Sequence, residues 1–167
     1  MAAPDASAPL TDEELETWAA LATVLEWLPA ALDAQLQRDA QLTHFEYGVL
    51  YALANAPDAT LRMSVLSGYA NSSLSRLSRA AARLEARGWM RRAPDPADGR
   101  FTLAILTEAG RDTVDRATPG HASLVRDLVL DRLTGPQKRH LQESMHRIMR
   151  ATRGDSGWVR SGARSLS

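Results

Sequence analysis

The feature that most constrains this chain is a change of period near residue 89. Before it, apolar residues recur at helical spacing. After it come two short runs, WMRRA (89–93) and RFTLAIL (100–106), joined by PDPADG, a cluster of turn formers ending in Asp-Gly. A helix-period pattern does not settle as a strand, so residues 89–106 predict a β-hairpin inserted in a helical chain. Phe101, Leu103 and Ile105 alternate, which predicts that their face of the hairpin is buried.

The helices around it announce themselves by their caps. Thr11 precedes Asp12, Glu13 and Glu14, the right sign for a helix N-terminus. Leu15, Trp18, Ala22, Leu25, Leu32 and Leu36 follow near heptad spacing, with Pro29 as a candidate kink. That stripe needs another helix to cover it, from this chain or a second copy. LTHFEYGVLYALANAP (42–57) is a second helix capped by Thr43, with Phe45, Val49, Leu50 and Leu53 inward. A short third helix spans about 61–67 and stops at Gly68; Asn71 caps a fourth that runs to Arg87, with Gly88 as its stop. Beyond the hairpin, Thr107 caps a helix to about Arg132, interrupted at Pro119-Gly120. Leu133 to Pro136 opens a last helix with Leu141, Met145, Ile148 and Met149 on its apolar side. Residues 1–10 and 152–167 read as disordered, Trp158 included. The fold class is therefore mainly α with a small β-hairpin wing. Residues 39–106 form a winged helix-turn-helix domain, and residues 11–38 and 107–151 a helical region around it.

Charge supplies the functional clue. The 167 residues hold 20 basic and 20 acidic side chains, yet arginine crowds positions 76, 79, 83, 87, 91, 92 and 100. Residues 1–37 hold seven acids and no Lys or Arg. Separation of that kind suits an anionic partner approaching one face. Cysteine is absent, which removes disulfides and thiolate metal sites and favours the cytoplasm. The first ten residues lack the basic and apolar regions of a signal peptide, and the longest apolar run, 18–25, is far short of a bilayer span.

On a helical wheel of residues 72–87, Leu74, Leu77, Ala81 and Leu84 form the core stripe. Ser72, Ser75, Arg76, Arg79 and Arg83 fall opposite. Small hydroxyl residues near the N-terminus and long cations beyond them suit a helix entering the major groove. Arginine there pairs with guanine O6 and N7, and cations further along meet phosphates. A solvated basic face is the bland alternative on the helix by itself.

RMSVLSGYANSSLSRLSRAAARLEARGWMRR, followed by DGR and LTEAGR, resembles the core of MarR-type winged helix-turn-helix regulators. The matching elements are Ser-x-Leu-Ser-Arg, Arg-Leu-Glu-x-x-Gly, Asp-x-Arg in the wing and Leu-Thr-x-x-Gly after it. The resemblance in helix order extends over roughly residues 11–150. It implies a transcription regulator, often a repressor released by a small molecule, with double-stranded DNA as partner. It also implies a homodimer, making 11–38 and 107–151 a helical dimerisation region. It places Asp98 as the residue that holds Arg100, the wing arginine that reaches into the minor groove. The expected DNA-binding residues are Ser72, Ser73, Ser75, Arg76, Arg79, Arg83, Arg91, Arg92, Asp98 and Arg100. Pro119 within the helix that follows the wing departs from the pattern.

Trp18, Trp27, His44, Phe45 and Tyr47 fall between the dimer region and the DNA-binding lobe of that architecture. They are candidates to line a pocket for an aromatic or amphipathic effector, with core packing as the alternative. His44, His121, His140 and His146 are the candidate metal ligands. His140 and His146 are six apart, a poor spacing on one helix face even with Glu143 between them, and surface histidines are the default, so no metal and no cofactor is expected. No nucleophile–base pairing or phosphate loop supports an enzyme. The other reading is a winged-helix protein-interaction module without DNA binding.

Overall fold

A computed structural model of the chain describes residues 8–153. Residues 1–7 and the tail from 154 on, with Trp158, lie outside the described residues. The first helix, α1 (Asp12–Ala40), opens on a capping box: Glu14 N–H donates to Thr11 Oγ1, and Thr11 N–H donates to Glu14 Oε2 at 2.8 Å. It runs unbroken through Pro29 to a left-handed Gln41. Helix α2 (His44–Ala54) repeats the device with Thr43 and Glu46. Asp33 Oδ1 accepts from His44 N–H at 2.5 Å and pins the start of α2 to α1.

Strand β1 (Thr60–Arg62) comes next and corrects an expectation, since these residues read as the start of the third helix. Three residues cannot display a period of two. They become a strand only because the wing strand lies beside them, Thr60 opposite Ile105 and Arg62 opposite Leu103. Helix α3 (Met63–Tyr69) starts two residues late for that reason and passes through Gly68. Asn71 is not the cap of the next helix. It adopts a left-handed turn conformation (φ 49°) closed by bonds from Asn71 N–H to Gly68 O and from Ser72 N–H to Ser67 O. Ser73 caps α4 (Leu74–Ala86), accepting from Arg76 N–H at 3.3 Å.

Gly88 does stop α4. Its φ of 73° carries a Schellman closure, with Trp89 N–H to Leu84 O and Gly88 N–H to Glu85 O. Strands β2 (Met90–Asp95) and β3 (Asp98–Leu106) then form an antiparallel sheet in the order β1-β3-β2. Its tight turn is Pro96-Ala97 rather than Asp98-Gly99, because Asp95 Oδ1 accepts from Ala97 N–H and a bulge follows Pro94. The buried face of β3 is Ala104 and Leu106. Phe101 is exposed, while Leu103 and Ile105 are half-buried. The expected alternation was therefore out of phase, since the sheet rests on α2 and α3 by its other face.

Helix α5 (Glu108–Leu128) continues through Pro119-Gly120 and ends four residues before Arg132, where a 3-10 turn (Leu130–Arg132) follows. Packing on α1 and α2 holds the proline in line, and Gly120 gives α1 room to approach. Gly110 answers a stricter demand, since any Cβ there would collide with the carbonyl of Trp89. Helix α6 (Gly135–Arg153) closes the described chain.

The core is built from Leu36, Leu42, Leu50, Leu53, Leu66, Leu77, Leu84 and Met90, all fully buried. The outer half of α1 is different: Leu15, Trp18, Leu25 and Trp27 are exposed, and so are Leu141, Ile148 and Met149 on α6. Among the described residues no helix is long and apolar enough to cross a membrane.

Candidate nucleic-acid interface

Helix α4 buries Leu77, Ala80, Ala81 and Leu84. Leu74 is not in that stripe. It lies in the first turn and is 53% exposed, so Ala80 completes the inward face in its place. The hydroxyl residues separate in the same way. Ser73 is spent on the cap, Ser72 is half-buried with its Oγ enclosed, and Ser75 faces outward within 3.1 Å of Ser73 Oγ.

The arginines of the segment differ in what holds them. Arg76 lays its guanidinium 4.4 Å above the Phe45 ring. Arg83 Nε donates to Glu46 Oε1 at 2.7 Å. Arg79, between them and on the outer face, makes no hydrogen bond or ion pair with a described residue. Arg92, on β2, gives Nε and Nη2 to Glu85 (2.8 and 2.6 Å) and Nη1 to Ser78. Its guanidinium is thus consumed in stapling the wing to α4, which leaves little of it for phosphate. Arg91, the next residue along the strand, is exposed. At the wing, Asp98 grips Arg100 through both oxygens, Nη2 to Oδ2 at 2.7 Å, while the arginine remains 85% exposed.

Asp98 is the carboxylate that sequence reasoning had placed; those behind the other cations it missed. Asp95 is buried and pairs with Arg62 at 2.8 Å, and Arg62 also lies over Phe101. That ties β1 to both strands of the hairpin. Nothing in the local sequence marks Glu46 or Glu85 for this role, because tertiary packing brings their partners to them. Burial works to raise the Glu46 carboxyl, but bonds from Thr43 and Arg83 outweigh it and hold the group below its ordinary value. The Arg92 bond does the same for Glu85, and the Arg100 bond for Asp98.

Beside α4 a cleft of about 1080 Å³ opens between it and the inner half of α1, α2 and α5. His44, Phe45 and Tyr47 line it. Trp18 and Trp27 do not, because α1 reaches the cleft only from Pro29 onward, and Trp27 is instead 75% exposed. The fold adds a residue with no signal in local sequence: His121 of α5 stands 5.4 Å from His44 and 4.7 Å from Tyr47, ring to ring. Tyr47 Oη meets Thr118 Oγ1 at 3.1 Å. Burial lowers the pKa of both histidines; His44 pushes His121 further down, whereas Asp33 acts against the shift at His44. His140 and His146 are exposed on α6. Among the described residues no group of three or more potential ligands is placed to hold a metal ion.

Comparison with known proteins matches this geometry to a family. The MarR family model matches residues 40–100, from the end of α1 to the wing. The transcriptional regulator HosA of Escherichia coli O111:H- is 32% identical over 110 residues, 66% of this chain and 79% of that protein. Sco3205 of Streptomyces coelicolor, a MarR family transcriptional regulator solved in complex with DNA, is 42% identical. It superposes with a TM-score of 0.88 over 92% of this chain and 96% of its own. AbsC of the same organism is 31% identical, with a TM-score of 0.85 over 89% and 99% of the two chains. A winged lobe carrying a cationic α4, in a chain similar to these regulators over nearly its whole described length, belongs to the MarR family of transcriptional regulators.

Proposed function

We propose that this chain is a sequence-specific DNA-binding repressor that acts as a homodimer on inverted-repeat sites in the cytoplasm. The observation that carries this reading is Arg79: an arginine on the outward face of α4, held by no other described residue and flanked by the small side chains Ser75 and Ala82. An unpaired, solvent-facing guanidinium at that place is available to a guanine edge. Arg100, braced by Asp98, is the matching minor-groove cation at the wing. The DNA complex of Sco3205 supports the partner. Arg76, stacked on the Phe45 ring, keeps the in-plane donors of its guanidinium for the groove. The domain division follows: 39–106 binds DNA, while 11–38 and 107–151 join two copies. The cleft, with Phe45, Tyr47, Tyr51 and Tyr69 in its wall, is the place for an aromatic or amphipathic effector that relieves repression. An interaction module would show a neutral or apolar outer face on α4.

The test selects a preferred duplex from random DNA and then compares Arg79→Ala with wild type. Losing a bidentate base contact costs about 1–3 kcal/mol per half-site and relaxes preference at one position in each half. The expected result is an inverted repeat with half-sites about one turn apart, roughly 10 bp or a multiple. Equal weakening on preferred and scrambled duplexes would show that Arg79 does not read bases.

A further inference from the structure

Among the arginines of the basic segment, Arg83 is held in a particular way. Among the described residues only its Nε finds a partner, Glu46 Oε1, and its side chain stays 58% exposed while that of Glu46 is 7% exposed. The Nη1–Nη2 edge of the guanidinium is therefore left open beside a buried anchor. Arg92 is the contrast, with Nε and both terminal nitrogens engaged.

The anchor itself cannot swing. Glu46 Oε2 accepts from Thr43 N–H at 3.0 Å, closing the capping box of α2, so one oxygen secures its own helix and the other secures α4. The N-terminus of α2 is fixed in turn by Asp33 of α1. One residue earlier, Phe45 carries Arg76. A single turn of α2 thus sets the course of two arginines on one flank of α4, with Arg79 left between them.

We propose that Glu46 is a positioning residue for DNA binding, which aims the free edge of Arg83 at a backbone phosphate. This rests on the DNA-binding reading above and adds to it a residue that touches no nucleic acid. A guanidinium fixed at Nε presents its Nη1–Nη2 edge in one orientation, so less side-chain freedom is lost when a phosphate meets that edge. Glu46 lies inside the lobe, and its charge is balanced by the cation it holds.

The experiment measures binding of the preferred duplex across a salt series for wild type, Glu46→Gln, Arg83→Gln and the double variant. Glutamine at this position keeps the capping box through its single carbonyl oxygen and turns a donor NH2 toward Arg83 Nε, so the charge and the anchor of Arg83 are lost while α2 stays capped. Glu46→Gln is expected to weaken binding about tenfold per dimer while the salt slope stays at the wild-type value, since the phosphate contact survives with less help. Arg83→Gln is expected to lower the slope by about two, one contact for each chain of the dimer. In the Arg83→Gln background, Glu46→Gln should change nothing further. Tighter binding by Glu46→Gln would mean that Glu46 withholds Arg83 from DNA, and it overturns the proposal. So do unchanged binding and an equal loss in both backgrounds. If Glu46→Gln fails to fold, the double variant, which leaves neither charge behind, decides by its slope: a wild-type slope overturns the proposal. Wild-type protein that binds no duplex sinks the DNA-binding reading itself, whereas a negative result with Glu46→Gln on a binding protein sinks this inference and leaves that reading intact.

Discussion

The winged lobe and the helical arms of this molecule are built to opposite plans. In the lobe, residues 39–106, apolar side chains meet inside one core, and four of the cations at its surface have carboxylates behind them: Asp95 for Arg62, Glu46 for Arg83, Glu85 for Arg92, Asp98 for Arg100. In the arms, the outer half of α1 and the length of α6 present leucine, tryptophan and isoleucine to solvent. Their charges are of opposite sign. The first helix has no Lys or Arg before Arg38, whereas α6 carries Lys138, Arg139, Arg147, Arg150 and Arg153 against Glu143. The core of the lobe is completed by Leu36 of α1 and Val114 and Ala117 of α5, whereas the outer stripes of the arms stay exposed. On the function proposed above, the difference is that between a surface that meets DNA and one that meets a second copy.

Three measurements would break or sharpen that contrast. The largest effect is expected from the arms. Trp18→Asp combined with Ile148→Asp places charge in both exposed apolar stripes, and it should abolish the dimer by light scattering. Losing the second half-site contact should cost about 100- to 1,000-fold in affinity for an inverted repeat. A wild-type protein that is a well-folded monomer would remove the basis for this. Within the lobe, Leu77→Ala should destabilise by about 2–5 kcal/mol in chemical unfolding, because it empties a packed site. Leu74→Ala, one turn away in the same helix and exposed, should stay within about 0.5 kcal/mol. Equal losses would show that Leu74 is covered after all.

The smallest effect joins lobe to arm across the cleft. His44 and His121 have pKa values lowered by burial, so the folded state favours their neutral forms. The unfolded chain takes up those protons near pH 6.5, so their contribution is fully present above that pH and is lost as pH falls through it toward the folded values. The denaturant midpoint should therefore fall between pH 7.5 and 5.5, and His121→Gln should flatten that slope. The lowered carboxylates Glu46, Glu85 and Asp98 do not titrate in this window; their contribution is lost only below about pH 4. A wild-type midpoint independent of pH across this range would contradict the burial of the pair.

How much could be read beforehand varies from residue to residue. Thr11, Thr43, Thr107 and Gly88 act where their local chemistry says they should, since a cap is settled by the few residues around it. Asn71 looked like a cap and is a turn residue, because Ser73, two positions on, offers the same chemistry and tertiary packing chose between them. Strand β1 was invisible, since its hydrogen-bond partners lie about forty residues away. The phase of β3 was misread, because alternation by itself does not say which face meets the helices.

For the candidate site the division has the same cause. The segregation of arginine into residues 76–100, the helix-turn-helix order and the Asp98–Arg100 spacing were all present in the order of residues, because each depends on neighbours along the chain. Which arginine is free and which is held was decided by tertiary structure alone. Glu46 and Arg83 are 37 residues apart, His44 and His121 are 77 apart, and no local pattern encodes the packing of α2 against α4 and α5 that brings them within reach.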